Sequence, residues 1–490
     1  MSAHLRLRDD VRLGVIYDDR TPFGSALSGL CDRLVHHTCK PVLVDDIASL
    51  GPSSSRARVA ACFGDGALGS LYERPGHLRE ECRHPDADAV MPARLVADID
   101  GRRVQLGDVC WSELAPSIGG LVDPRRAAHS SAARRLRQWL ADAGALTDAR
   151  QHARVAADGI TFVGHATVAI EHAGVRLLFD PFLMAPSSDD PRGYRPLLAS
   201  ELAPDAVFIT HSHPDHYDLG SLLRFGADMP IYVPSVERES LLAIDMRTRL
   251  EQLGFRAVRA LSWGQKVQIG RHRVFAEPLL GEQPTDDEVL HPELRNVGNT
   301  YVVETPRCRV ALLADAGRDA LGTSVAQATE WRRRFGAIDV VLGGYRAWRL
   351  WPIQYPMTSV ARYLLFVPPS RWGSSMQIMN DADDLLELAA RCGARWIIPY
   401  ANGGAPWYWR RGLGPAADGS GASLAAFDPD LSALTDACGA RRSDTRAQLL
   451  ILRPGERVVI DGQSASEPIA GAGGHWPYRR APEVNEVCRG

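Results

Sequence analysis

One short segment constrains this chain more than any other. It runs from His211 to His216 with the sequence His-Ser-His-Pro-Asp-His, and it follows directly on the apolar stretch 206–210. An apolar run of this length predicts a buried β-strand, and extended chain leaving such a strand points alternate side chains to the same side. His211 and His213 can therefore share one metal ion, while Asp215 and His216 project differently and bind a second ion or hold water. Imidazole nitrogens and carboxylate oxygens suit zinc, iron or manganese.

The composition around this segment is that of an ordinary globular protein. The 490 residues are 45% hydrophobic and 23% charged, and a chain of this length is expected to form two or three domains. Lysine plus arginine (56) nearly balance aspartate plus glutamate (59), so no long-range field favours nucleic acid or an anionic membrane. We therefore expect neither of these as a partner.

Targeting signals and cysteine use both indicate the cytoplasm. The first residues carry charges where a secretory signal needs an apolar run, and no stretch has the roughly 18 apolar residues of a membrane-spanning helix. Nine cysteines are scattered singly from Cys31 to Cys488 without a Cys-x-x-Cys pair. Such spacing is typical of reduced, buried thiols rather than of disulfides or a zinc ribbon.

An accessory domain is predicted over residues 1–155. Strand patterns at 11–17 and 93–99 precede a helical periodicity at 131–144, which predicts a small α/β unit. The order of short strands and then helices resembles the small winged-helix domains that bind leader peptides in ribosomal-peptide and quinone-cofactor pathways. This resemblance implies recognition of a peptide or a carrier protein, with a plain helical accessory domain as the alternative.

A second domain is predicted over residues 156–465. Short strands alternate with turns and helices from Gly159 onwards, as a layered α/β sandwich requires. Residues 466–490 are rich in glycine and alanine near their start and are predicted to be a loose tail. Because the strand-rich pattern restarts at Gly159, we expect the accessory domain to be removable as a folded unit.

Two further motifs accompany the histidine segment. The sequence Gly-His-Ala-Thr contains His165, and Leu-Leu-Phe-Asp-Pro-Phe places Asp180 before a proline. With the histidine segment, these motifs resemble the metallo-β-lactamase superfamily, and specifically the branch that contains ascorbate-phosphate lactonases and N-acyl-phosphatidylethanolamine phospholipases. The resemblance implies an αββα sandwich. It also implies that His165 lines the active site as a catalytic residue, with a satisfied core histidine as the alternative. Asp180 would then orient the histidine segment as a hydrogen-bond acceptor.

The resemblance also supplies a bridging ligand. In that superfamily an aspartate at the end of a late strand bridges two metal ions, and Asp315 in Leu-Leu-Ala-Asp-Ala-Gly matches it in position and type. An ordinary helix cap is the alternative for this residue. Two transition-metal ions are thus expected, with ligands from His211, His213, Asp215, His216 and Asp315.

The sequence departs from the hydrolases of this fold where a further histidine is expected. The strand predicted at 272–276 is followed directly by Glu277 and later by Glu282, and no histidine occurs before His291. We favour Glu277 as the ligand because it ends the strand, and we keep Glu282 and His291 as rivals. A carboxylate makes the site harder and shifts its preference from zinc towards iron or manganese.

This carboxylate-rich pattern resembles the diiron β-hydroxylases of the same fold. They act on amino acids held by peptide-synthetase carrier domains and carry an extra N-terminal α/β domain. A late histidine of the hydrolases is also missing, and the chain has Tyr400 there, followed by Trp407 and Trp409. We predict that these three aromatic residues line a substrate pocket, with core packing as the alternative.

Three functions follow from these patterns. The favoured one is a diiron oxygenase of natural-product biosynthesis, which takes dioxygen, an electron donor and a small-molecule, peptide-bound or carrier-bound substrate. The second is a zinc or manganese hydrolase of an ester, lactone or phosphodiester, in which the metal lowers the pKa of water to about 7 and Asp215 takes or steers the proton. The third is a recognition module with a degenerate site.

Overall fold

The computed structural model describes most of the second domain and part of the first. The described residues are 5–17, 93–109, 111–127, 129–148, 158–186, 194–213, 215–237, 245–281, 297–345, 347, 349–350, 376–401, 431–441, 447–461 and 464–470. Within these ranges, no helix has the length and apolar character needed to cross a membrane. The cysteines described as free, Cys308, Cys392 and Cys438, are all buried, as their single spacing predicted.

The N-terminal region forms a small α/β unit. A three-stranded antiparallel sheet of order β2-β3-β4 packs with helices, and β1 pairs with β5. The hydroxyl of Ser130 caps the last helix by accepting the Ala133 N–H at 3.2 Å, and that helix buries Leu136 and Leu140 on one face. The elements are β1 (Leu5–Leu7), β2 (Arg12–Tyr17), β3 (Ala93–Ile99), β4 (Arg102–Val109), α1 (Trp111–Val122), α2 (Pro124–Ala127), α3 (Ser131–Asp142) and β5 (Leu146–Asp148).

Two seven-stranded sheets form the centre of the second domain. The first has the order β11-β10-β9-β8-β7-β6-β23, and its strands from β8 to β11 run parallel. Its elements are β6 (Gly159–Gly164), β7 (Thr167–His172), β8 (Val175–Phe179), α4 (Ala199–Leu202), β9 (Ala206–Phe208), α5 (Leu219–Leu222), β10 (Ile231–Pro234), α6 (Met246–Leu253), β11 (Val258–Leu261) and, from the far end of the chain, β23 (Arg457–Val458).

The second sheet has the order β12-β13-β14-β15-β18-β21-β22. Its first four strands are antiparallel and its last four run parallel. The elements are β12 (Lys266–Ile269), β13 (His272–Pro278), β14 (Asn299–Glu304), β15 (Arg309–Leu312), β16 (Arg318–Asp319), β17 (Gly322–Thr323), α7 (Ser324–Phe335), β18 (Val340–Gly343), β19 (Arg349–Leu350), β20 (Met376–Gln377), α8 (Ala382–Cys392), β21 (Trp396–Pro399), α9 (Leu431–Ala440) and β22 (Gln448–Leu449), with the hairpin β24 (Ile460–Asp461) and β25 (Ser464–Ala465) after β23.

The two sheets pack face to face between outer layers. Alternate residues of facing strands, such as Phe208 and Tyr301, share the apolar core between the sheets. The outer face of the second sheet packs against α7, α8 and α9. This arrangement is the αββα sandwich that the sequence predicted. The predicted strands at 272–276 and 206–210 are present as β13 and β9.

The outer face of the first sheet shares its core with the N-terminal unit. Leu13 of β2 and Leu136 of α3 belong to the same buried apolar cluster as Leu178 of β8 and Leu219 of α5. The two predicted domains are therefore continuous in their packing. At the other end of the chain, Ile469 exchanges both backbone hydrogen bonds with Arg457, so the first residues of the predicted tail pair with the sheet edge.

Candidate metal centre

The histidine segment lies where strands of both sheets end. Asp180 follows β8, His211 follows β9 and Asp315 follows β15. Strands β8 and β9 are parallel, and the 3.2 Å contact of Asp315 with His216 brings the end of β15 to the same place. Ligands of α/β sheets commonly bind outside the carboxyl ends of strands, because loops leave the sheet there and can face one cavity. The topology thus gathers residues that are separated by more than one hundred positions in the sequence.

A first group of side chains contains His211, His213 and Asp315. The two histidines follow β9 in the loop that leaves it, and their ring centroids lie 4.5 Å apart. One ligand atom from each of the three buried side chains lies within 4.8 Å of the others. Gly298 allows this approach, because a Cβ atom there would lie 3.1 Å from the Cβ atom of His211.

A second group contains His165, Asp215 and His216. The carbonyl of His213 accepts the N–H groups of His216 at 3.0 Å and Tyr217 at 2.8 Å, so the chain turns here, and the His216 ring lies 4.1 Å from that of His211. Nε2 of His165 lies 2.8 Å from Oδ2 of Asp215, and the three side chains again bring ligand atoms within 4.8 Å. The histidines are buried, whereas the Asp215 side chain is 29% exposed.

Asp315 lies between the two groups. Its Oδ2 atom is 3.2 Å from Nε2 of His216 and 4.0 Å from Nε2 of His211. Its Oδ1 atom is buried and accepts no hydrogen bond from the residues that the structure describes. A buried carboxylate oxygen without a donor is costly, and a cation supplies what it lacks. The two groups together offer four imidazoles and two carboxylates, which are ligand types that suit a transition metal.

Asp180 supports the centre as a hydrogen-bond acceptor. Its Oδ1 accepts the N–H of Thr210 at 2.7 Å, and its Oδ2 accepts the Thr210 hydroxyl at 2.6 Å and lies 2.8 Å from Nδ1 of His216. This confirms its predicted orienting role. The sequence analysis did not identify Thr210, whose hydroxyl lies 2.9 Å from Nδ1 of His211. Its position between an apolar strand and that histidine was the signal that could have identified it.

Left-handed backbone surrounds the centre. The φ angles are 51° at His165, 43° at Asp180, 49° at Ala314 and 58° at Ala401. Such a conformation costs of order 1–3 kcal/mol in a residue other than glycine and persists only where neighbouring contacts impose it. Two hydrogen bonds do so here: Ala401 donates to the carbonyl of His165 at 2.9 Å, and Ala314 donates to the hydroxyl of Tyr400 at 2.7 Å.

The placement of Tyr400 corrects its predicted role as a substrate contact. Its side chain is only 1% exposed, and its hydroxyl oxygen supports the residue that precedes Asp315. Burial, with the negative charge of Asp180, raises the pKa of the Tyr400 phenol well above its ordinary value, so the hydroxyl stays protonated. The other two predicted substrate residues, Trp407 and Trp409, lie outside the described residues.

Glu277 is not brought to the cluster, which corrects its predicted role as a ligand. Its Oε2 atom accepts from Nη1 of Arg334 in α7 at 2.6 Å. Phe275, two residues earlier in β13, packs against Phe335 of the same helix, whereas Ala276 faces the core between the sheets. Alternation along the strand therefore puts Glu277 on the outer face. The rivals Glu282 and His291 lie outside the described residues.

Negative charge dominates the electrostatics of the cluster. Burial alone lowers the pKa of His216, but the charges of Asp315, Asp215 and Asp180 outweigh it and raise that pKa well above its ordinary value. Burial alone raises the pKa of Asp215, but the positive charge of His216 and the contact with His165 hold it well below its ordinary value. The negative charge of these carboxylates therefore favours a proton on His216. A bound metal cation can balance the same negative charge in place of that proton.

The sequence has relatives of two chemical kinds. The family model of the β-lactamase superfamily domain matches residues 175–400. The 3-hydroxylase of 4-amino-L-phenylalanyl-peptidyl-carrier-protein from Streptomyces venezuelae is 33% identical over 129 residues, which are 26% of this chain and 24% of that protein. A metal-dependent hydrolase of Salinibacter ruber is 32% identical over 111 residues, 22% of this chain and 42% of that protein. The chain thus spans less than half the length of these relatives.

A solved structure matches the fold over nearly the whole chain. CmlA, a diiron β-hydroxylase from Streptomyces venezuelae, has a TM-score of 0.54 and 16% sequence identity over 92% of this chain and 98% of its own. At this identity, the likeness shows the fold. The family model over residues 175–400, the two sheets and the histidine segment at their edge agree with one another, and together they show that this chain has the metallo-β-lactamase fold.

Proposed function

We propose that the chain is a dinuclear iron oxygenase that hydroxylates an amino acid or peptide, held on a carrier protein, in natural-product biosynthesis. The observation that carries the proposal is the pair of side-chain groups arranged around Asp315, because its orphaned Oδ1 and shared Oδ2 suit two neighbouring cations. The fold likeness to a diiron β-hydroxylase over 92% of the chain supports iron over zinc, and the carrier-linked relative supports the substrate class.

Hydroxylation of a C–H bond by dioxygen consumes electrons that an external donor must supply. Two iron ions, when bound, would supply the sites at which dioxygen is activated. Reduction of dioxygen takes four electrons, two from the C–H bond and two from an external electron donor, and with two protons from water one oxygen atom becomes the hydroxyl group and the other becomes water. An electron donor and a tethered or small-molecule substrate are therefore the proposed partners.

The residues of the chain divide this work. His211, His213 and Asp315 would hold one ion, and His165, Asp215 and His216 the other. Thr210 and Asp180 hold the imidazole rings in orientation and fix which nitrogen faces the cavity. Asp215 is the exposed member of the six, so its carboxylate is the one that would face substrate and move a proton between water and the centre.

We propose that either Glu282 or His291 supplies a further protein ligand to the first ion. Described residues on both sides of the segment 282–296 lie beside the cluster. The carbonyl of Leu280 accepts from the N–H of Gly317, two residues after Asp315, at 2.6 Å, and a Cβ atom added at Gly298 would lie 3.1 Å from the Cβ atom of His211. Glu282 follows Leu280 by only two positions, which favours it. A carboxylate at this place would also favour iron.

Hydrolysis is the second candidate, because the partly exposed Asp215 forms a hydrogen-bonded acid–base pair with His165. Zinc or manganese in the same groups would lower the pKa of water to about 7, and Asp215 would take its proton. The curated hydrolase relative supports this alternative. A protein with no metal affinity would leave only the third hypothesis, a recognition module.

Reloading the metal-free protein separates these functions. We expect iron(II) to bind at about two ions per chain, to give near-ultraviolet absorption in air, and to consume dioxygen after reduction with dithionite. His213→Ala should lose these properties, and His172→Ala, at the opposite end of β7, should keep them. Binding of zinc alone, with zinc-dependent cleavage of 4-nitrophenyl acetate or bis(4-nitrophenyl) phosphate that His213→Ala abolishes, would overturn the oxygenase in favour of the hydrolase.

A further inference from the structure

The N-terminal unit contacts the second domain directly behind the histidine segment. The carbonyl of Leu13 in β2 lies 2.8 Å from where a Cβ atom of Gly220 would stand, so the first turn of α5 has room for no side chain there. Arg224, which follows α5, donates to the carbonyls of Asp9 at 3.2 Å and Leu183 at 2.9 Å. This close approach fixes β2 against the chain that leaves the metal cluster.

Arg12 of β2 makes two contacts across this boundary. Its Nη2 atom lies 3.1 Å from Oδ1 of Asp218, and the two side chains are only 16% and 4% exposed. Its guanidinium carbon lies 4.9 Å from the ring centroid of Phe182, in the range of a cation–π contact. A guanidinium can make both contacts at once because it is planar, charged and weakly hydrated.

The first contact connects Arg12 to His216. Asp218 follows His216 by two residues and is the N-cap of α5. Its Oδ2 atom accepts the N–H of Ser221 at 3.0 Å. The hydroxyl of Ser221 in turn accepts the N–H of Leu183 at 2.7 Å. Asp218 therefore joins the end of the histidine segment to the chain that follows Asp180.

The second contact connects Arg12 to His165. The ring of Phe182 stands between the guanidinium and the imidazole, and the Phe182 and His165 rings meet edge to face with centroids 6.1 Å apart. The N–H of Phe182 donates to the hydroxyl of Thr167 at 2.8 Å, and that hydroxyl donates to the carbonyl of Asp180 at 2.7 Å. The ring is thus held in place on its other side.

We propose that Arg12 is a positioning residue of the metal centre, which holds the His165, Asp215 and His216 group in its ligating geometry through Phe182 and Asp218. The chain of contacts through Phe182 reaches the ring of His165, and the one through Asp218 reaches the backbone two residues after His216. The N-terminal unit is then a structural part of the second metal site as well as a domain attached to the catalytic one. The inference rests on metal binding by the cluster, as proposed above, but on neither reaction.

Cobalt(II) titration of the metal-free full-length protein tests this, because cobalt's visible bands report ligand geometry. The variant Arg12→Met removes the charge and keeps the apolar stem. We expect one of the two bound cobalt ions to bind at least roughly tenfold more weakly and its bands to shift, with Arg12→Lys restoring part of the affinity. Phe182→Leu, which leaves the ion pair intact, should weaken the same ion if Arg12→Met is too unstable to purify.

Arg8→Met is the matched control. Arg8 pairs with Asp10 and Asp100 at 2.6 Å each, inside the N-terminal unit, so its loss destabilises that unit without touching the two contacts. Arg8→Met should bind cobalt as the wild type does. Wild-type affinities and bands in Arg12→Met and Phe182→Leu, or equal weakening by Arg8→Met, would overturn the proposal. Wild-type protein that binds no cobalt would instead overturn the proposed metal enzyme, and this inference with it.

Discussion

Arg334 of helix α7 donates to Glu277 of strand β13, with Nη1 2.6 Å from Oε2, on the face of the second sheet that points away from the metal cluster. The carboxylate is 3% exposed and the guanidinium 31% exposed. A residue that the sequence suggested as an iron ligand is thus one half of an ion pair that joins a helix to a sheet. Its loss should change stability and leave the metal site intact.

The pair should respond unequally to removal of its two members. Arg334→Ala leaves a buried carboxylate without its cation and should cost about 3–5 kcal/mol of unfolding free energy. Glu277→Ala leaves an arginine that can still reach water and should cost only about 1–3 kcal/mol. Urea unfolding measures both, and iron content should equal that of the wild type in each folded variant. Loss of iron in Glu277→Ala alone would restore it as a ligand.

Asp180 should set metal affinity without binding metal. Asp180→Asn keeps the shape of the side chain but cannot accept from both Thr210 and His216, so the imidazole loses its fixed orientation. We expect affinity to fall by roughly 10- to 100-fold in a chelator competition assay. Asp158→Asn, a change at the opposite end of the sandwich near His172, should have wild-type affinity. Equal effects in the two variants would contradict the assigned role.

His213 should be essential for metal content. His213→Ala removes one imidazole from the group that contains His211 and Asp315, so an incomplete site remains, and we expect most of the metal to be lost. Plasma emission analysis of purified protein measures this, with His172→Ala as the control histidine. Two ions per chain in His213→Ala would show that the first group is not a metal site.

Strand patterning predicted the layers of the second domain well. Runs such as those that form β9 and β18 are buried on both faces, so their apolar residues are continuous and visible in the sequence. The histidine segment was equally visible because its members are adjacent. In the second group, Asp215 and His216 were visible in the same segment. The sequence did not show that His165, which lies between another pair of strands, would join them in the folded protein.

The remaining errors have physical causes. Glu277 and its neighbour Ala276 face opposite sides of one strand, and a sequence pattern at a strand end does not say which side meets the cavity. Tyr400 looked like a substrate contact because an aromatic residue with a polar tip suits both a pocket and a buried hydrogen bond. Helix α1 was not predicted, and Pro116 inside it is a usual signal against a helix.

The shared apolar core changes the expectation for a truncated protein. Removal of residues 1–155 would expose Leu178 and Leu219, which pack in one cluster with Leu13 and Leu136. We now expect the remaining chain to aggregate or to bind metal more weakly than the full-length protein, measured by light scattering and by chelator competition. A monomeric, fully metallated fragment would show that the second domain is independent.

A buried histidine far from the metal cluster should make stability depend on pH. His272 of β13 is fully buried at the opposite end of the sandwich, with its ring centroid 6.3 Å from that of His172. Burial, and then the charge of His172, lowers the pKa of His272 from its ordinary value of 6.5. The folded protein therefore keeps this ring neutral at a pH where the unfolded chain protonates it.

Protonation of His272 in the unfolded chain should then lower the free energy of unfolding in acid. The contribution of this residue is fully present above about pH 6.5 and is lost as the pH falls below that value, with a slope of at most about 1.4 kcal/mol per pH unit because one proton is involved. We expect the difference in unfolding free energy between wild type and His272→Leu to shift in favour of the variant between pH 7.5 and pH 5.5. Subtracting the values of the two proteins cancels the titration of the metal-site histidines, which both share.

His172→Gln, which removes the neighbouring charge, should reduce the loss of unfolding free energy in acid without abolishing it. A difference between wild type and His272→Leu that stays constant over this range would mean that His272 titrates alike in the folded and unfolded chains.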